Sequence, residues 1–148
     1  MNSSALKMIF NSNPSLSALP LRLIAGTIFA AHGAQKLFAW FGGYGLEGTG
    51  QWMESIGLAP GFLMALLAGS AEFFGGLLLI VGLLTRPTAV VLAVTMLVAI
   101  FSVHFENGLF MSNNGYEFGL ALFAISLALA LQGAGRFALD NSLSRKLS

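Results

Sequence analysis

The sequence predicts an all-α integral membrane protein, a four-helix bundle with N and C termini cytoplasmic. Three observations carry this. Of the 148 residues, 56% are hydrophobic and only 9% are charged, where a soluble domain carries roughly 25% charged residues. A chain so poor in charge cannot cover itself with a hydrated surface, and hydrocarbon is its natural solvent. The apolar residues gather into four runs, near 20–41, 61–84, 87–104 and 115–132, and a helix needs about 20 residues to cross a bilayer. The positive charges outside the runs fall on alternate connections, as the positive-inside rule requires.

The elements follow in order as a single domain, 1–148. Residues 1–19 are mostly polar, hold Lys7 and lack an apolar core, so they are not expected to form a cleavable signal. The first run starts at Pro20, the second follows Pro60, and the third starts at Pro87. A proline costs least at a helix start, where its missing N–H has no partner to lose. The outer loop 42–60 is glycine-rich and carries Glu47 and Glu54. It is too polar to cross, and it has the pattern of a short interfacial helix around Thr49–Ile56. Thr85–Arg86 is a tight turn. Phe105–Asn114 is a short polar connection. Residues 133–148 form a cytoplasmic tail. Lys7, Arg86, Arg136, Arg145 and Lys146 then share one side, and four crossings return both termini to it.

Composition also excludes chemistry. The net charge of +1 gives no footprint for nucleic acid. With no cysteine, thiol nucleophiles, thiolate metal sites and dithiol relays are absent.

Ionisable groups inside the runs are the candidates for function. Each costs roughly 2.5–3.5 kcal/mol at mid-bilayer on insertion scales, so it normally faces the bundle interior and pairs. The first run holds Arg22, His32, Gln35 and Lys36, the second Glu72, the third His104, and the fourth Tyr116 and Glu117. His32 and Lys36, four apart, share a helix face. Counting the rise per residue places His32 and Glu72 near the midplane, Lys36, His104 and Glu117 further out, and Arg22 near the cytoplasmic end. Apart from Arg22, these residues are expected to form a column in the outer half, lined from all four helices. Ala68, Gly69, Gly75 and Gly76 around Glu72 would let a neighbouring helix approach closely.

In this reading His32, Lys36 and Glu72 are the candidate catalytic residues. They would hydrogen-bond a ring oxygen and pass protons. Gln35, Gly76, His104, Tyr116 and Glu117 are candidate ligand contacts. The plainer alternative has Glu72 pairing with Lys36 or His32 only to fix helix packing. Arg22 is expected to anchor the first helix at the cytoplasmic headgroups. Trp40, Tyr44 and Trp52 read as an outer aromatic belt. The paired Glu-x-x-His helices of di-iron bundles are missing, so no metal is expected.

Taken together, the sequence resembles the DoxX family of small four-helix membrane proteins. The carriers are Arg22 ahead of His32-Gly33-Ala34-Gln35-Lys36-Leu37, then Glu72-Phe73-Phe74-Gly75-Gly76, then Gly82-Leu83-Leu84-Thr85-Arg86. The closing Gly133-Ala134-Gly135-Arg136 with Asp140 adds to the likeness. The resemblance implies a bacterial cytoplasmic (inner) membrane and a link to respiratory redox chemistry. A quinone is the cofactor this suggests. No flavin or nicotinamide fingerprint is present, so electrons would come from a membrane or redox protein partner. Two other functions stay open. One is a non-enzymatic subunit or assembly factor. The other is a small transporter or lipid-binding protein, which would need to form a homo-oligomer.

Overall fold

The computed structural model describes residues 9–10 and 15–146, so Lys7 lies outside the described residues. These residues form six helices and no strand: α1 (Ala18–Phe38), α2 (Gly45–Ser55), α3 (Gly61–Val81), α4 (Thr85–Ala99), α5 (Glu117–Gln132) and α6 (Leu139–Lys146). A π turn, Ile100–His104, and a 3-10 turn, Phe105–Asn107, prolong α4.

Each end has a local cause. Helix α1 stops where Ala39 turns left-handed, with φ 58°. Helix α3 starts after Pro60 and closes at Gly82, whose φ of 68° suits glycine. Its last carbonyls are taken by Gly82 N–H to Leu79 at 3.1 Å and Leu83 N–H to Leu78 at 3.0 Å. Helix α4 begins after Leu84, which has no capping side chain. The Asp140 carboxylate supplies the cap from a distance in sequence, accepting from the Leu84 and Thr85 amides at 2.7 and 3.0 Å.

Helices α1 and α3 lie antiparallel along a seam of glycines. Gly26 faces the Gly76 carbonyl and Ile80, and Gly33 faces Gly69 and the backbone of Phe73. A Cβ on Gly33 would sit 2.7 Å from the Gly69 oxygen, and one on Gly76 would sit 2.5 Å from the Gly26 oxygen. Only glycine permits backbones to meet this closely, as in membrane helix pairs. Helix α4 returns along α3, with Leu92 against Gly75, and α5 packs on α4 where Gly119 meets Ile100. Phe29, Leu79, Leu92 and Leu129 fill the centre. The amphipathic α2 lies across α3, with Gly50 against Phe62. Glu54 of α2 accepts a hydrogen bond from the Gly61 amide and so caps α3.

The outside is as apolar as the inside. Ile24, Phe62, Leu67, Phe74, Val94 and Leu131 are all exposed. A continuous apolar exterior is the surface a bilayer demands. Two stretches, Gly61–Val81 and Thr85–Asn107, are long and apolar enough to cross one, with mean hydropathies of 2.0 and 2.3.

The seam makes a direct prediction. Gly76→Ala should lower stability by more than ~1 kcal/mol through overpacking. Ala124→Leu, on the exposed face of α5, should stay within about 0.5 kcal/mol. Reversible unfolding in mixed micelles measures both. Equal effects would show that the seam does not set the packing.

Candidate functional site

Along the seam, Lys36 of α1 reaches Glu72 of α3, with Nζ 2.6 Å from Oε2. The side chains are 23% and 5% exposed. Their positions follow from the helix pair. Side chains lean towards the N-terminus of their own helix, so in antiparallel neighbours Lys36 and Glu72 lean towards each other. No other hydrogen-bonding group among the described residues reaches Glu72, which leaves Oε1 available. A pair this dry attracts far more strongly than one in water. It stays costly to form, because both charges give up hydration.

The pair opens onto a groove of about 760 Å³ between α3 and α4, roofed by Trp52 and Met53 of α2. The walls are apolar and open to the exterior: Leu67 and Ala71 from α3, Val90, Val94 and Val98 from α4. At the far end stand His104 and Asn114. The His104 Nδ1 lies 2.8 Å from the Asn114 carbonyl oxygen.

The structure thus brings three of the expected residues, Lys36, Glu72 and His104, to one groove and leaves the rest elsewhere. His32 is exposed on α1, with its ring 6.0 Å from Phe118 of α5. Gln35 donates to the Phe41 carbonyl at 3.2 Å and holds the end of α1. Gly76 is buried in the seam against Gly26 and Ala30. Tyr116 stacks on Phe105 at 5.7 Å. Glu117 accepts from the Met111 amide at 2.7 Å and ties the loop before α5. The expected column lined from all four long helices is therefore a groove lined by α2, α3, α4 and the end of α1, with α5 contributing nothing to it. Trp52, read from the sequence as part of an aromatic belt, lines the groove. Sequence spacing gave no sign of Met53 or Asn114, because a turn-rich connection hides what it folds over.

Arg22 also departs from expectation. It is not a headgroup anchor, because it is fully buried. Its guanidinium donates to the Leu79 and Ile80 carbonyls at 3.2 and 3.4 Å, and to those of Arg136 and Phe137 at 3.2 and 3.0 Å. It thereby satisfies the carbonyls ending α3 and fastens the segment after α5 to them. That segment is no loose tail: Gly133, Ala134, Gly135 and Asp140 are buried. Gly135 has no room for a Cβ, which would sit 2.6 Å from the Ser15 carbonyl.

These features define a class: a small all-helical membrane protein with a charged pair opening onto an apolar groove. The DoxX family model matches residues 17–105, and the chain belongs to that family. It is 40% identical over 130 residues to a Bacillus subtilis protein named "Putative oxidoreductase CatD", covering 88% of this chain and 89% of that one. It is 33% identical over 137 residues to the Escherichia coli inner membrane protein YqjF, covering 88% and 95%. An uncharacterized Haemophilus influenzae protein is 36% identical over 129 residues, covering 85% and 90%. No solved structure matches significantly.

Two outcomes follow from the geometry. Lys36→Met alone should cost about 3 kcal/mol, because Glu72 is left buried without its partner, while Lys36→Met with Glu72→Leu should recover most of that loss. Unfolding of the three proteins in mixed micelles decides; an unrecovered double variant would refute the pairing argument. Asp140→Ala should cost about 1–2 kcal/mol through loss of the cap on α4. The same assay reads it, and no loss would remove Asp140 from that role.

Proposed function

We propose that the groove binds an apolar small molecule carrying a ring oxygen, of the quinone class, and that the chain is a redox-associated component of the inner membrane. The observation that carries this is the Lys36–Glu72 pair opening onto apolar walls. A groove of about 760 Å³ lies within the usual range for small-molecule sites, roughly 300–1,000 Å³. Valine and leucine walls accept a ring and tail. The Lys36 ammonium has N–H groups beyond the one given to Glu72, and it can donate to a ring oxygen. Glu72 beside it can hold or release a proton. A bound quinone would supply the electron-carrying chemistry, which the side chains of this protein lack. Electrons would be exchanged with a partner protein. The printed name of the Bacillus subtilis relative supports the redox reading.

The same reading has α1, α3, the α4 stretch and α5 crossing the bilayer, with both termini in the cytoplasm. It is supported by Arg86, Arg136 and Arg145, which fall on the connections assigned to that side. One observation favours a subunit or assembly role instead: His32 is exposed on the outside of α1, where a partner helix could shield it from lipid.

Mass spectrometry of organic extracts tests the proposal. Protein purified in mild detergent should carry a stoichiometric quinone. The Lys36→Met/Glu72→Leu variant should lose it by about tenfold or more, since a hydrogen bond to a charged group contributes about 1.5–3 kcal/mol. No quinone in either sample, or equal amounts in both, would overturn it.

A further inference from the structure

The far end of the groove carries chemistry opposite to that of the ion pair. A carbonyl oxygen only accepts hydrogen bonds, so at 2.8 Å from the Asn114 oxygen the His104 Nδ1 carries the hydrogen. The neutral ring then has its lone pair on Nε2, which is an acceptor. No described group donates to it. Asn107 shares the same carbonyl at 3.3 Å, and this second bond helps hold Asn114 in place. The tautomer is thus set by the loop that the ring closes on.

The two poles converge. Gly75 faces Leu92, which puts Glu72 about level with Thr95. His104 lies about nine residues further on, roughly 13 Å along the axis. Glu72 leans towards the start of α3 and His104 towards the start of α4. These directions oppose each other across the groove, so both side chains shorten that span. Both ends line the same groove, so a ring lying along it can turn one oxygen towards each. The ammonium of Lys36 donates at one pole, and the Nε2 lone pair of His104 accepts at the other.

Resting on the groove reading above, we propose that His104 is a specificity-determining residue that selects a ring bearing a hydroxyl at its outer oxygen, so that the groove prefers the quinol form of its ligand to the quinone. A carbonyl at that corner would set lone pair against lone pair. A hydroxyl there donates to Nε2, while the oxygen at the other corner accepts from Lys36. Discrimination of this kind comes from a polar group of the site left without a partner in the wrong ligand.

Equilibrium binding of decylubiquinol and decylubiquinone to the purified chain tests this, with quinol samples kept anaerobic. The wild type should bind the quinol about tenfold more tightly, the factor expected for one good hydrogen bond. His104→Phe should bring the two forms within about twofold, by weakening the quinol and relieving the clash with the quinone. Asn107→Ala removes the other hydrogen bond to Asn114 and should keep the preference, which separates the acceptor from mere support of the loop. Lys36→Met/Glu72→Leu should weaken both forms. Equal binding of both forms to wild type, or a preference that survives His104→Phe, overturns the selection by His104 and leaves the groove standing. Binding of neither form to wild type overturns the groove reading and this inference with it.

Discussion

Backbone meets backbone where Gly26 and Gly33 of α1 face Gly76 and Gly69 of α3, and this contact places almost every polar group that matters. Both glycine pairs are spaced a heptad apart, so one stripe on each helix carries the approach. With the helices this close and antiparallel, Arg22 near the start of α1 falls at the end of α3. Lys36 near the end of α1 falls beside Glu72. The same seam therefore builds a fastening at one end and a charged pair towards the other. A wider spacing would separate both sets and leave the charges in hydrocarbon, where each is costly.

The buried charges separate into two kinds by what surrounds them. Arg22 is surrounded by four carbonyl oxygens from two segments. Asp140 is held by two amides. Both are enclosed by protein, and both finish helix ends whose backbone groups would otherwise be orphaned. They do the work of caps with long-range side chains. Lys36 and Glu72 satisfy each other and nothing else in the protein, and they face a space. A closed polar cluster stabilises a fold, whereas an open one beside apolar walls is poised to contact something that enters. This contrast, rather than charge alone, makes the groove the candidate site.

Part of the candidate site was legible in particular residues. Lys36 and Glu72 stood out because insertion cost makes any charge in an apolar run unusual, and the glycines around Glu72 announced a close neighbour. His104 stood out for the same reason. His32 shared a face with Lys36 in the count of residues, yet its ring goes to the exterior beside Phe118. A helical face is wide, and spacing does not say which part of it the neighbour covers. Arg22 was misread because an arginine near a helix end has two low-energy solutions, the headgroup region and a set of free carbonyls. Sequence shows the arginine and not the carbonyls. The role of Asp140 was hidden because the helix it caps begins over fifty residues earlier. The sign was there in a negative form: Leu84 opens α4 without a capping side chain.

By itself the sequence determined that the protein is helical, that its solvent is lipid and that it belongs to the DoxX family. Those properties follow from composition, from run length against bilayer thickness, and from motifs that are local in the chain. The tertiary structure decided which charges pair, which are sealed and which face the groove. It also turned the connection before α3 into a roof and docked the segment after α5 against the bundle. These depend on the register between helices and on turns that bring distant residues together. Register is set by the summed packing of many side chains along a seam, and no single stretch of sequence contains that sum.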